Sequence, residues 1–392
     1  MGSLELEATG PLSIDPTGRP YALDLSLVLP TYNEALHIAP LVEQLITSLE
    51  SVPGLTYEII IVDDDSPDRT WEKALELAHK FPQVRALRRQ GERGLSTAVL
   101  RGWQLARGQI FGVMDADMQH PPETAAELWK AMTDGADLAV ASRHMTGGGA
   151  SDWIWPRRFA SRAAQLLGLL VLPEVTTKVS DPMSGYFMIR RSSLEGRELK
   201  PLGYKILMEV LGRGQVGAIS EVPYVFRGRS ERASKASGEV FRQYLAHLAR
   251  IRIHLLKNSS FLRFCIVGAT GTIIDTTMLF LLSDPRTLGW GLTRSKIIAA
   301  ELALANNFIW NDRWTFGKLA AQHSGFKERF KRYLKFNLFC SVGIILNLIV
   351  LNVGVNIFHV NRYIANLSAI FLVTFWNYNT NRKLSWRTAA KK

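Results

Sequence analysis

Cysteine is nearly missing from this chain. Cys265 and Cys340 are its only two in 392 residues, which excludes a disulfide framework and a cysteine-built zinc site. Both fall inside apolar segments and read as membrane-core residues. Glycine fingerprints for phosphate are missing too: no Gly-x-Gly-x-x-Gly follows the first strand signal, and Gly-x-x-x-x-Gly-Lys-Ser/Thr does not occur. Dinucleotide oxidoreductases and P-loop NTPases are thereby disfavoured. Residues 1–23 lack a basic start followed by an apolar core, so no cleaved signal peptide is visible and the arm is expected to be disordered. Acidic residues are in deficit, 35 Asp and Glu against 47 Lys and Arg, for a net charge of +12. Such an excess can mark a nucleic-acid binder. Here, however, the basic residues crowd the flanks of long apolar runs, which points to a membrane protein and not to nucleic acid.

What is present divides the chain in two, as its length already suggests. Up to about residue 225, strand and helix signals alternate. Asp24 to Pro30 reads as a strand and is followed by Thr31-Tyr32-Asn33-Glu34 and a helix to about Ser51. Tyr57 to Val62 reads as a second strand, which runs into Asp63-Asp64-Asp65-Ser66-Pro67-Asp68 and another helix. Val84 to Arg88 and Ile110 to Met114 are further strands, with a helix over Gly94 to Ala106 between them. This rhythm predicts an α/β fold, a mostly parallel sheet with helices on both faces. Ligands of such sheets bind at the C-terminal ends of the strands. Three polar clusters distant in sequence, PTYNE, VDDDSPD and DADMQ, are therefore expected on one rim.

The last cluster carries the chemistry. Asp115, Asp117 and Gln119 follow the strand at alternate positions, and two carboxylates with an amide are hard oxygen ligands suited to Mg²⁺ or Mn²⁺. The plainer alternative is a turn after a strand, where Asp is common anyway. Carboxylates at the other clusters suit a nucleotide's hydroxyl and amine donors, and Tyr32 offers a face for stacking. A nucleotide diphosphate is thus the expected ligand.

As an ordered set, Pro30 to Glu34, Val62 to Thr70, Asp115 to Gln119, Ser142-Arg143 and Arg229 with Lys235 resemble family 2 glycosyltransferases of the dolichol-phosphate mannose synthase type. The resemblance spans about residues 24–240 and implies a GT-A fold over 24–235. It implies that Pro30, Tyr32, Glu34, Val62 and Asp64 line the nucleotide pocket, and that Asp115, Ala116, Asp117 and Gln119 hold metal and diphosphate. Arg143, Arg229 and Lys235 would face the phosphates of donor and acceptor. The activity implied is inverting transfer of mannose from GDP-mannose to a polyprenyl phosphate, with Asp117, Arg143, Arg229 and Lys235 as its catalytic groups. UDP-glucose transfer to undecaprenyl phosphate uses the same parts. A non-catalytic scaffold is disfavoured by the intact DADMQ, Arg229 and Lys235. A processive polysaccharide synthase would need Gln-x-x-Arg-Trp, and Arg313-Trp314 lacks the glutamine.

The chemistry stands without the family. An acceptor phosphate has a second pKa of about 6, so it is largely a dianion near neutral pH and needs no strong general base. It needs cationic groups that bring two anions together, for which Arg143, Arg157, Arg229 and Lys235 have the charge. Arg157 opens an amphipathic stretch (Phe159, Ala163, Leu166, Leu167, Leu170), and 236–260 forms another through Phe241, Tyr244, Leu245, Leu248, Ile251 and Leu255. Both are expected at a membrane surface. Beyond Ser260 come four candidate spans: Phe261 to Ser283, Thr293 to Trp310, Leu334 to Phe358 and Ile364 to Asn381. They repeat internally. Gly271 falls over Gly343 at a spacing of 72 residues, and Asn307 and Phe316 fall over Asn377 and Trp386 at 70. Residues 261–386 thus read as two helical hairpins, similar to the GtrA-type membrane family, ahead of a basic tail at 387–392. Basic loops place the catalytic half and both termini on the cytoplasmic side.

Overall fold

The structure is a computed structural model that describes residues 10–15, 21–150, 164–228, 238–323 and 325–386. It divides into two compact units, 1–255 and 256–392.

The first unit is built on seven strands: β1 (Leu23–Thr31), β2 (Tyr57–Asp63), β3 (Val84–Arg88), β4 (Gly108–Val113), β5 (Leu138–Ser142), β7 (Phe187–Arg190) and β8 (Ile219–Pro223). A two-stranded pair, β6 (Gly149–Ala150) and β9 (Val225–Phe226), is separate. The seven lie in the order β3-β2-β1-β4-β7-β5-β8, and β7 alone runs against its neighbours β4 and β5. The expected α/β fold is therefore present, with one reversed strand that the sequence rhythm did not disclose.

The central strands are continuous apolar runs because both faces are covered. Leu25, Leu27 and Leu29 of β1 pack with Leu41, Leu45 and Leu49 of helix α1 (Ile38–Glu50). Val28 turns the other way, into a cluster with Val62, Trp103 and Phe111. Trp103 comes from α3 (Leu95–Leu105), stacks on Phe111 and donates from its indole N–H to Gly112 O at 3.2 Å. Helices α2 (Thr70–Lys80) and α4 (Thr124–Thr133) complete the layers.

Two expectations are corrected here. Part of the N-terminal arm is ordered: Ile14 is buried in the main core and bridges to Glu195, and Gly196 N donates to Ile14 O at 2.8 Å. An isoleucine with a core slot to fill holds this piece of chain in place. The second amphipathic stretch, the helix Gly238–Asn258, gives part of its apolar side to protein, since Tyr244, Leu248 and Ile251 are buried in the first unit's core. Phe241 and Leu245 remain exposed. Of the first stretch, the helical residues 164–171 are described; Leu167 packs toward the core while Leu166, Leu169 and Leu170 are exposed. Phe159 and Ala163 lie outside the described residues.

The second unit holds helices Ser260–Ser283, Leu292–Trp310, Phe326–Asn356 and Arg362–Thr380. The third starts earlier than its apolar run, because the basic stretch Lys327 to Lys335 contains no helix breaker after Gly325. The first and third are long and apolar enough to cross a membrane. The sequence repeat is a structural repeat. Gly271 lies against Asn307 and Gly343 against Asn377, so each hairpin closes on the same glycine-to-asparagine contact. Each second helix runs into a π-helical turn, Asn311–Thr315 and Asn381–Ser385. Phe264, Phe308 and Phe316 meet their counterparts Phe336, Tyr378 and Trp386 in one aromatic cluster, with Phe316 stacked on Trp386 at 4.6 Å between centroids.

Candidate active site at the sheet rim

Sheet register brings the polar clusters together. Thr31 pairs with Asp63, Asp63 with Arg88, Val113 with Phe187, and Ser142 with Pro223, so the residues just beyond these positions share one edge. Tyr32 to Glu34, Asp64, Asp115 to His120 and Arg143 all lie there. Because β7 is reversed, the segment Asp181 to Tyr186 that leads into it arrives at the same rim. Each of the three acidic or amide clusters contains one residue with left-handed backbone: Asn33 (φ 61°), Asp65 (φ 54°) and Met118 (φ 61°). Non-glycine residues seldom hold this conformation, which costs on the order of 1 kcal/mol and concentrates at functional sites.

The carboxylates divide by what they bind. Asp63 accepts from Thr31 Oγ1 at 2.9 Å and from Ser66 N and Oγ at 2.9 and 2.6 Å. Asp64 accepts from the buried Arg89 and from Gly94 N at 2.7 Å. Burial raises its pKa despite Arg89. Asp65 binds Arg88 Nε at 2.7 Å, and Asp68 takes Thr70 Oγ1 at 2.6 Å and Ala35 N at 3.1 Å. The acidic loop is thus braced internally, and a nucleotide reaching Asp64 would compete with Arg89 and Gly94.

Asp115 differs. Its Oδ1 is buried without a hydrogen-bond partner among the described residues, and its Oδ2 lies 3.5 Å from His120 Nε2. Gly185 presses against it as well: a Cβ there would sit 2.5 Å from Asp115 Oδ2. Ala116 is buried beside it. Asp117 Oδ1 accepts from Gln119 N at 3.2 Å. Gln119 is buried, donating from Nε2 to Arg227 O at 3.0 Å while its backbone carbonyl accepts from Arg227 N at 2.9 Å. Among the described residues no three His, Cys, Asp or Glu side chains form a closed metal cage. Two carboxylates with one orphaned oxygen nevertheless fit a magnesium-type ion, which takes one or two protein carboxylates and completes its shell from phosphate and water.

Arg143 is held fork to fork by Asp181. Burial opposes its charge, but the hydrogen bonds and charge of Asp181 prevail and raise its pKa, with Asp115 adding to the effect. Burial likewise works against ionised Asp181, and Arg143 overrides it, so the Asp181 carboxyl titrates below the usual range. A phosphate at Arg143 would have to share this guanidinium. Nearby, an open groove of about 300 Å³ is lined by Gln165, Leu166, Leu169, Thr176, Ser180 and Pro182.

Elsewhere on the rim, Tyr32 is half exposed with the Arg93 guanidinium 5.7 Å from its ring centre, and Glu34 pairs with His37 at 2.8 Å. Pro30 and Val62 are buried and paired in register at the strand ends beneath. Arg157, Arg229 and Lys235 lie outside the described residues. The sequence reading assigns no role to Arg89, Arg93 or His120. The one available signal was that His120 and the Asp181 to Tyr186 run border polar clusters.

Known proteins resemble both parts of the chain. Residues 26–197 match the family model described as glycosyl transferase family 2, and 263–386 match GtrA/DPMS, transmembrane domain. The chain is 39% identical over 366 residues to a dolichol-phosphate mannosyltransferase of Pyrococcus furiosus, covering 93% of this chain and 100% of that protein. It is 38% identical over 241 residues to the Saccharomyces cerevisiae dolichol-phosphate mannosyltransferase (59% and 88% covered). A polyprenol monophosphomannose synthase of Mycolicibacterium smegmatis is 33% identical over 248 residues (61% and 89%).

Proposed function

Because this chain belongs to the dolichol-phosphate mannosyltransferase family, within the family 2 glycosyltransferases, we propose that it transfers mannose from GDP-mannose to a polyprenyl phosphate of dolichyl type. The observation that carries the site assignment is Asp115, whose buried Oδ1 has no hydrogen-bond partner among the described residues and lies on the rim where Asp117, Gln119 and Arg143 converge. Asp115, Asp117 and Gln119 would hold Mg²⁺ or Mn²⁺, which when bound neutralises the leaving diphosphate. The protein's own part is orientation and charge. Tyr32 and Glu34 receive the nucleoside. Arg143, Arg229 and Lys235 gather the phosphates, and Asp181 fixes the Arg143 fork at the rim. The acceptor is already an oxyanion, so it attacks the anomeric carbon directly and no residue has to remove a proton. One in-line displacement inverts that carbon.

The lipid enters from the side of the exposed Leu166, Leu169 and Leu170, with its first isoprene units in the groove that ends at Ser180 and Pro182, next to Asp181. Arg157, in the sequence just before these leucines, is the further candidate for the acceptor phosphate. The helices of the second unit anchor the enzyme as four spans, with the catalytic unit on the cytoplasmic side. The deciding experiment incubates membranes containing the protein with radiolabelled GDP-mannose or UDP-glucose and extracts lipid. Label in lipid from GDP-mannose is expected; label from UDP-glucose alone would replace the donor.

A further inference from the structure

His120 immediately follows the proposed cation ligands, and its surroundings are specialised. The ring is almost fully buried. Three aromatic rings from two segments enclose it: Tyr186 edge-on at 5.5 Å, and from the β8–β9 stretch Tyr224 stacked at 5.4 Å and Phe226 edge-on at 5.2 Å. Such a cage fixes the plane of the imidazole, because any rotation would drive the ring into a neighbour in a close-packed interior. The left-handed turn at Met118 reverses the chain, and Nε2 then faces Asp115 Oδ2. Gly185 packs against the same carboxylate, closely enough that a Cβ there would sit 2.5 Å from Oδ2. Asp115 is therefore confined by an imidazole edge and a backbone, with Oδ1 as the oxygen that nothing in the described protein satisfies.

If packing were the ring's whole role, phenylalanine would fill this aromatic cage as well, without the cost of a desolvated Nδ1 that has no partner among the described residues. The cost is offset if Nε2 serves a neighbour, and the neighbour it faces is Asp115. We propose that His120 is a positioning residue for the reaction: caged by Tyr186, Tyr224 and Phe226, it directs its Nε2 to Asp115 Oδ2 and so turns Oδ1 toward the cation. It touches neither substrate nor cation. This rests on the cation reading above and goes beyond it by naming the group that orients the ligand. Outer partners of metal ligands typically contribute about 10-fold to 100-fold in metal affinity.

The test uses the full chain in detergent with GDP and reads Mn²⁺ binding by the loss of the free-ion paramagnetic resonance signal. GDP affinity in chelator and thermal midpoint are measured in parallel. His120→Phe fills the cage without a nitrogen; His120→Gln restores an N–H donor at about the position of Nε2. The expected result is Mn²⁺ affinity about 10-fold to 100-fold weaker in His120→Phe, most of it regained in His120→Gln, with chelator-phase GDP affinity unchanged in both. Wild-type Mn²⁺ affinity in His120→Phe would overturn the proposal while leaving the cation reading intact. Equal weakening in both variants would also overturn it, because the residue would then serve the fold alone. A wild-type protein that binds no Mn²⁺ in the presence of GDP would overturn the cation reading and this inference with it.

Discussion

Arg143 and Asp181 meet as two parallel hydrogen bonds, Nε to Oδ2 at 2.6 Å and Nη2 to Oδ1 at 2.8 Å, both groups nearly out of solvent. Asp181 ends no parallel strand; it reaches the rim on the segment that feeds the reversed β7. The pair therefore joins β5 to the start of β7 and fixes the direction in which a guanidinium faces the proposed phosphates.

Acid should release this pair. The folded-state pKa of Asp181 lies below its ordinary value of 3.8, so its contribution to stability is complete above that value and disappears as pH falls through the lower one. Asp181→Asn is expected to lose about 3 to 5 kcal/mol at neutral pH, since it leaves a buried guanidinium without its counter-charge. The loss should shrink below pH 4. Urea melts of both proteins between pH 3 and 7 measure it, and a pH-independent difference would contradict the ionised pair.

Gly185 should not tolerate a methyl group. A Cβ 2.5 Å from Asp115 Oδ2 must displace that carboxylate, and misplacement near the reacting groups costs about a hundredfold. Gly185→Ala is expected to lower kcat by that order with the fold retained. Normal turnover would mean that Asp115 can move without consequence.

Asp117→Ala should remove metal-dependent transfer, a loss of at least about a hundredfold, while the protein still inserts into membranes. Chelator should do the same to the wild type. Mannolipid formed at full rate in excess EDTA would take the cation out of the mechanism.

Truncation should distinguish the two ends of the helix Gly238–Asn258. A chain ending at Asn258 keeps Tyr244, Leu248 and Ile251 in the core and is expected to retain measurable transfer in detergent with a short-chain acceptor. A chain ending before Gly238 loses all three and should precipitate or melt early. Light scattering and lipid-extraction assays of the two would settle where the catalytic unit stops.

The strands and the shared rim were legible because apolar runs and turn clusters are local signals, and because parallel topology places every strand end on one edge. The reversed β7 was not legible, since four residues, Phe187 to Arg190, say nothing about direction. Neither were the partners of the carboxylates. Asp63, Asp64 and Asp65 look alike in sequence, yet their partners come from Thr31, Ser66, Arg89, Gly94 and Arg88. The amphipathic pattern of Gly238–Asn258 gave an apolar side correctly but not what covers it, because protein core and lipid select the same residues. In the second unit the repeat was visible at the level of single glycines and asparagines, since close helix contact restricts both residues tightly.

The stacked Phe316 and Trp386 mark where the two repeated hairpins face each other, and the repeats differ in charge. Asp312 in the first π turn accepts from Arg332 at 3.0 Å and from the Trp386 indole at 3.0 Å, while the matching position in the second turn is Arg382. The fastening between the halves is consequently lopsided. A protein assembled from two first hairpins or two second hairpins would keep the aromatic contact and lose this latch, so neither half can now stand in for the other.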